Sequence, residues 1–187
     1  MRKPLIVYYS RKGENYWDGQ IRSLPKGNTE VVAEMIADIT GGDLFEIDTV
    51  QPYAAGYRDC VQQAVAEFRQ NARPALKAYP DSLDGYDVIF VGYPNWCGTM
   101  PMAMFTFLEH FDLTGKRILP FCTNEGSGMG HSEQDLNRVC TGATVEPGLS
   151  IRGCQAAGSR DQVAVWVKHL LCADFSPKEK AATKNRL

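Results

Sequence analysis

The sequence has no strong excess of either charge. Its 20 lysine and arginine residues oppose 22 aspartate and glutamate residues, which gives a formal net charge of -2 at pH 7. So small a net charge supplies no strong field that would attract a nucleic-acid backbone or an anionic membrane surface. We therefore expect neither nucleic acid nor a membrane among the partners of this protein.

Long apolar runs and closely spaced cysteines are also missing. No stretch approaches the roughly 18 apolar residues of a membrane span, and the first apolar run, residues 5–9, is shorter than the roughly 7 residues that a secretory signal needs. No two of the six cysteines are three positions apart, so the sequence has no C-x-x-C pair for redox chemistry or zinc. We expect reduced structural thiols, no metal site and a cytoplasmic location.

The composition is otherwise that of an ordinary globular protein, with 44% hydrophobic and 22% charged residues in a chain of 187. That length suits one domain, and we assign residues 1–175 to it. The final stretch, residues 176–187, is charged and lacks an apolar face, so we expect it to be a frayed tail.

Strand patterns alternate with helix patterns about five times along the chain. Continuous apolar runs predict strands that are covered on both faces, at residues 5–9, 44–47, 88–91, 118–122 and 149–151. Apolar residues at helical spacing follow each run. The alternation predicts an α/β fold, a doubly wound three-layer sandwich with a five-stranded parallel sheet in the order 2-1-3-4-5.

Residues 11–26 contain two glycines and one proline and are predicted to be loop.

Three loops that follow predicted strands carry the candidate ligand-binding residues. Ligands of such sheets bind beyond the carboxyl ends of the strands, where the strand order reverses. The three loops follow the first, third and fourth strands, so we expect them to converge on one crevice.

The first loop ends in Gly27-Asn28-Thr29 at a predicted helix start. A helix start presents free N–H groups and a partial positive charge, which favour a phosphate. Ser10, Asn28 and Thr29 add side chains that can donate hydrogen bonds, and Asn28 or Thr29 is predicted to cap the helix. On its own the pattern also fits a glycine turn followed by an ordinary cap.

The second and third loops suit a planar ligand. Trp96 lies between two prolines in residues 93–101, and its flat face beside backbone amides would suit a heteroaromatic ring. The alternative is a tryptophan that packs back onto the edge of the sheet. The third loop, residues 123–130, has three glycines that let the backbone wrap around a ligand or simply make a flexible connection.

In these loops the sequence resembles the flavodoxin family. The resemblance rests on the strand that ends at Ser10, on the helix start, on the second loop and on the third, and it covers roughly residues 3–172. It implies an FMN-binding flavodoxin-like domain that transfers electrons.

The resemblance also implies a set of cofactor-binding residues, with no catalytic side chain and no metal among them. The phosphate would be held by Ser10, Arg11, Gly27, Asn28 and Thr29. The flavin ring would lie against Pro94, Asn95, Trp96, Cys97 and Gly98, where a backbone amide near Cys97 or Gly98 would meet its reactive nitrogen. Its other side would be flanked by Thr123, Asn124, Glu125, Gly126, Ser127 and Gly128.

Two departures from the family leave the function open. The insertion of residues 11–26 separates Ser10 from Gly27, and it brings Tyr16 and Trp17 as further candidates, beside Trp96, to cover a face of the flavin. The net charge is also less acidic than that of electron-carrier flavodoxins. We therefore consider a carrier that serves a redox partner protein, an FMN-dependent NAD(P)H:quinone-type reductase with a small-molecule acceptor, and a flavin-free binding or regulatory module on the same fold.

Overall fold

The computed structural model describes residues 2–172. Within that range the strands are β1 (Leu5–Tyr8), β2 (Gly13–Trp17), β3 (Gln20–Leu24), β4 (Asp43–Glu46), β5 (Val88–Pro94), β6 (Arg117–Asn124), β7 (Thr144–Val145) and β8 (Leu149–Arg152). The α-helices are α1 (Asn28–Thr40), α2 (Tyr57–Arg69), α3 (Met102–His110), α4 (Ser132–Val139) and α5 (Arg160–Cys172), and a 3-10 helix spans Gly153–Gly158. The predicted tail, residues 176–187, lies outside the described residues.

The main sheet is parallel and has six strands, with β4, β1, β5 and β6 in that order and both β7 and β8 paired with β6. The α/β fold with helices on both faces is confirmed, but the predicted five-strand order needs one correction. The edge position is shared by β7, beside the first part of β6, and β8, beside the last part. Pro147 and Gly148 lie between them, and proline cannot donate a hydrogen bond to a strand ladder, so the edge strand is interrupted there.

Two apolar layers cover the sheet because alternate residues of each strand point to opposite faces. Ile6 and Phe90 belong to the layer that includes α1 and α5, whereas Val7 and Val91 belong to the layer that includes α3 and Leu136 of α4. All four strand residues are at most 1% exposed. Burial on both faces explains why these strands appear in the sequence as unbroken apolar runs.

Residues 13–24 form a β-hairpin, so the prediction of a loop at residues 11–26 is wrong for most of that segment. Strands β2 and β3 pair antiparallel as a separate two-stranded sheet. Asp18 and Gly19 connect them with φ angles of 48° and 87°. Two consecutive residues with positive φ make the turn that best matches the twist of a hairpin, and Asp-Gly is one of its preferred sequences.

Two further observations complete the description of the fold. Within residues 2–172, no helix is both long enough and apolar enough to cross a membrane. The five cysteines with described side chains are all free thiols, namely Cys60, Cys97, Cys122, Cys140 and Cys154.

Candidate functional site

A cleft of about 340 Å³ opens where β1, β5 and β6 end. It lies at the predicted switch point, since the chain passes from β1 outward to β4 on one side and returns to β5 on the other. The predicted site residues that line it are Arg11, Asn28, Thr29, Pro94, Asn95, Trp96, Cys97, Thr123, Asn124, Glu125 and Ser127. The structure thus brings the three loops together. The predicted residues that do not line the cleft are Ser10, Gly27, Gly98, Gly126 and Gly128.

Ser10 and Gly27 build the start of helix α1. Gly27 occupies the cap position, so the prediction that Asn28 or Thr29 caps this helix is wrong. The cap comes instead from the loop that follows β1, because Ser10 Oγ accepts a hydrogen bond of 3.0 Å from the N–H of Glu30. A Cβ atom on Gly27 would overlap Ser10 Oγ, so only glycine lets the helix start so close to β1.

A hydrogen bond between two buried threonines joins the start of α1 to β6 in the lining of the cleft. The hydroxyls of Thr29 in α1 and Thr123 in β6 lie 2.8 Å apart and hydrogen-bond to each other. Because this bond joins the helix start to a central strand, it fixes the height of the first-turn N–H groups above the sheet. Those N–H groups have no partner within the helix.

The second loop makes a tight turn at Cys97 and Gly98. The backbones of Trp96 and Thr99 exchange hydrogen bonds of 2.8 and 3.0 Å across it. Cys97 and Gly98 have φ angles of 56° and 81°. Left-handed backbone costs a residue with a side chain about 1–2 kcal/mol, so the turn holds Cys97 in a strained conformation.

The Asn95 side chain leaves one backbone amide of this turn free to bind a ligand. Its side-chain oxygen accepts a hydrogen bond of 3.1 Å from the N–H of Gly98, and its side-chain nitrogen donates one of 2.9 Å to the carbonyl of Gly128. Asn95 therefore ties the second loop to the third. It also occupies the amide of Gly98, so that of the two amides expected to face a flavin, only the amide of Cys97 has no acceptor among the described residues.

Trp96 is held by an aromatic cluster at the other side of the same turn. Its ring meets Tyr9 and Tyr53 edge to face, with centroids 5.3 and 4.9 Å apart. The hydroxyl of Tyr53 donates a hydrogen bond of 2.6 Å to Glu67, and burial followed by this bond raises the pKa of Tyr53. Trp96 thus packs onto the end of the sheet and lines the cleft as well, so both sequence interpretations describe part of its position.

Glu125 in the third loop is occupied by protein partners. One carboxylate oxygen accepts a hydrogen bond of 2.8 Å from the N–H of Cys154, and the other accepts one of 3.3 Å from the N–H of Asp18. The same oxygen lies 3.4 Å from Arg152 Nε. Glu125 therefore joins the tip of the hairpin to the edge of the sheet.

A comparison with family models shows the family of this chain. The family model described as flavodoxin matches residues 23–170. The chain belongs to the flavodoxin family. A comparison with curated protein sequences found no match to this chain.

Solved structures of similar proteins agree with this family. Two proteins provisionally described as flavoproteins, from Bacteroides uniformis and Bacteroides eggerthii, are each 27% identical to this chain, with TM-scores of 0.71 and 0.67. The matches cover 89% of this chain and 98% of the first protein, and 88% of this chain and 99% of the second. A flavoprotein from Lactobacillus acidophilus, solved in complex with FMN, is 22% identical with a TM-score of 0.63, and the match covers 88% of this chain and 99% of that one. The last likeness shows the fold alone.

One wall of the cleft was not predicted from the sequence. Tyr57, Val61 and Ala64 of α2 line that wall, and Tyr16 of the hairpin stacks on Tyr57 with ring centroids 6.3 Å apart. The remaining lining residues that were not predicted are Asn15, Cys60 and Gly153. A signal was present, because positions 57, 61 and 64 recur at helical spacing and so share one face of α2.

The cysteines of this protein should differ sharply in reactivity. Burial raises the pKa of both Cys122 and Cys140 to about 12, whereas Cys97 is exposed and its pKa is raised less, by partial burial that Arg69 opposes. Because the thiolate is the nucleophile, we expect iodoacetamide at pH 8 to alkylate Cys97 at least about 100-fold faster than Cys122 or Cys140. Peptide mapping by mass spectrometry measures the rates.

Denatured protein is the control, in which these three cysteines should react at similar rates. Equal rates for Cys97 and Cys122 in the folded protein would contradict the burial described here.

Proposed function

We propose that this protein binds FMN non-covalently in the cleft and acts in electron transfer. The observation that carries the proposal is the convergence of a helix start and three loops on one cleft that is polar at one end and aromatic at the other. FMN has the same division, with a phosphate on a polar chain and a planar ring. The residues present therefore fit this cofactor.

The polar end offers groups that suit a phosphate. Asn28 and Thr29 begin α1 and line the cleft, so their first-turn N–H groups and the partial positive charge of the helix favour an anion there. The guanidinium of Arg11 lines the same cleft and is oriented by hydrogen bonds to the carbonyls of Glu14 and Ala55, at 2.9 and 2.7 Å. We assign Asn28 and Thr29 to phosphate binding, with Ser10 and Gly27 as their support, while Arg11, which lies against Cys60, adds positive charge from the α2 side of the cleft.

The aromatic end offers walls for a ring. Trp96 and Pro94 line one side of this end, and Tyr57 with Tyr16 lines another. Because the N–H of Gly98 already donates to Asn95, the N–H of Cys97 is the amide that we assign to the ring edge. Bound FMN would supply the redox chemistry, since its ring accepts and releases electrons, while these side chains bind it, orient it and exclude water.

A second candidate function is an FMN-dependent reductase of the NAD(P)H:quinone type. The observation that favours it is the stacking of Tyr16 in the hairpin on Tyr57 in α2, because this pair extends the aromatic lining of the cleft beyond the three loops. Such a wall could border a small planar acceptor as well as the cofactor. Steady-state oxidation of NAD(P)H with quinones distinguishes the two functions, since a carrier that serves a partner protein would show no turnover.

The absorption spectrum of the purified protein tests the proposal directly. We expect flavin bands that are retained through gel filtration after FMN is added, and a titration that saturates at one FMN per chain.

Replacing Thr29 with valine removes the hydrogen bond between the hydroxyls of Thr29 and Thr123, and removal of one partner of a buried hydrogen bond costs about 1–3 kcal/mol. Because that bond fixes the helix start, the variant should bind FMN more weakly.

Thr40→Val is the matched control. Thr40 ends the same helix, and its hydroxyl bonds only to backbone groups nearby, those of Ile36 and Gly42. A colourless protein that takes up no FMN would contradict the proposal and favour the flavin-free module.

A further inference from the structure

The hairpin of β2 and β3 is attached to the rest of the molecule at two places on opposite sides of the cleft. Its base is anchored at α2, where the carboxylate of Glu14 accepts a hydrogen bond of 2.8 Å from the N–H of Tyr57. A carboxylate at a helix start also interacts favourably with the helix dipole. Asn15 and Tyr16, between the two attachments, line the cleft.

The second attachment is a cluster of three charged residues at the tip of the hairpin, Asp18, Glu125 and Arg152. Arg152 Nη2 lies 3.4 Å from Asp18 Oδ1, and Arg152 Nε lies 3.4 Å from Glu125 Oε2. The N–H of Asp18 donates to the same oxygen of Glu125 at 3.3 Å. Arg152 therefore connects the hairpin, the third loop and the end of β8.

The hairpin depends on these attachments for its position. A two-stranded hairpin is marginally stable at best by itself in water, and β3 is exposed along nearly its whole length. The base also has the stacking of Tyr16 on Tyr57, whereas the tip has ion pairs of Arg152, whose side chain and that of Asp18 are 48% and 61% exposed, and exposed ion pairs contribute little. The tip can therefore release while the base stays attached.

We propose that Arg152, together with Asp18 and Glu125, holds the hairpin of β2 and β3 closed over the cleft and so sets the rate at which the bound cofactor leaves. Arg152 is a positioning residue in this role, since it does not line the cleft. The inference rests on the proposed binding of FMN in that cleft. It assigns a role to the insertion that separates Ser10 from Gly27.

Arg152→Gln tests the cluster with the least change in side-chain size. It removes the ion pairs with Asp18 and Glu125, and their loss should raise the dissociation rate of FMN about threefold to tenfold. Flavin fluorescence after dilution measures that rate. Raising the ionic strength should move the rate of the unmodified protein toward that of the variant, since salt screens exposed ion pairs.

The matched control is Arg160→Gln. Arg160 also forms an exposed ion pair with an aspartate, Asp38, at 3.2 Å, but that pair joins α5 to α1 away from the hairpin. The control carries the same change in charge and should release FMN at the unmodified rate. Asp18→Asn is a second test variant, because asparagine keeps the preferred turn sequence and removes the charge.

Hydrogen–deuterium exchange of the cofactor-free protein provides a readout that does not need FMN. Amides of residues 13–24 should exchange about threefold to tenfold faster in Arg152→Gln than in the unmodified protein, while those of β5 and β6 stay unchanged. Unchanged exchange in the hairpin would overturn the inference. So would FMN release from Arg152→Gln at the rate of the control.

Failure of the proposed function would look different from failure of the inference. If neither the unmodified protein nor the variant binds FMN, the role in cofactor release is overturned together with the proposed function. The exchange experiment would then still decide whether the cluster holds the hairpin closed.

Discussion

Replacing Gly27 with alanine is expected to weaken FMN binding about tenfold to a hundredfold. The backbone of Gly27, with φ of -71° and ψ of 149°, suits alanine, so the effect comes from space alone. The new methyl group would overlap Ser10 Oγ and would lie 2.6 Å from the carbonyl oxygen of Arg11. Overlap of this kind costs about 1–3 kcal/mol, and its relief must move the helix start away from β1. A loss of 1.4 kcal/mol is a tenfold change in affinity.

Riboflavin, which lacks the phosphate, makes this experiment specific. If the start of α1 holds the phosphate, Gly27→Ala should lower the affinity for FMN far more than the affinity for riboflavin. Gly85→Ala is the control, since a methyl group there meets no atom within 4 Å, and it should leave both affinities unchanged. Equal losses for the two flavins would place the phosphate elsewhere, and the assignment of Asn28 and Thr29 would be wrong.

The main sheet could be predicted from the sequence because its strands are buried on both faces. A run such as residues 88–91 has no polar residue to interrupt it, and each of the five predicted runs overlaps an observed strand. The division of the edge strand into β7 and β8 is less predictable. Whether a chain continues along β6 through Pro147 and Gly148 or breaks into two strands depends on local backbone geometry that apolar patterning does not report.

The hairpin could not be found from apolar patterning, because it buries little. Strand β3 is mostly exposed, and β2 carries glutamate and asparagine among its five residues. A different signal was available in Asp18-Gly19, which is a preferred turn sequence between two short strands. That signal is local, whereas the apolar runs report burial by the rest of the fold.

The convergence of the loops on the cleft could be predicted, but the contacts that connect them could not. The three loops follow from the rule that parallel strands end at one edge of the sheet. The role of Glu125 depends on Arg152 and on Asp18, which lies 107 positions away along the chain. No spacing in the sequence reports such contacts. For the same reason the apolar face of α2 could be recognised, but not the end of it that borders the cleft.

The largest effect on stability is expected from Gly92→Ala. Gly92 lies in the centre of β5 and pairs with Phe121 of β6, whose fully buried ring covers it. A methyl group on Gly92 would overlap three atoms of that ring, and neither central strand can shift without disturbing both apolar layers. We expect the free energy of unfolding to fall by about 3 kcal/mol, which corresponds to a decrease of about 6–12 °C in Tm for a chain of this size. Urea and thermal unfolding of the cofactor-free protein measure both.

The cause can be tested by shortening the ring that the methyl group meets. Phe121→Leu alone should destabilise the protein, because it removes buried apolar volume, but the same change in Gly92→Ala should cost less, since it also relieves the overlap. The two changes should therefore be non-additive by about 1 kcal/mol or more, as expected for residues in direct contact. Gly158→Ala is the control, since its methyl group meets nothing within 4 Å and should leave Tm nearly unchanged. Additive effects would mean that the strain lies in the backbone of β5 and not in the packing of Phe121 against it.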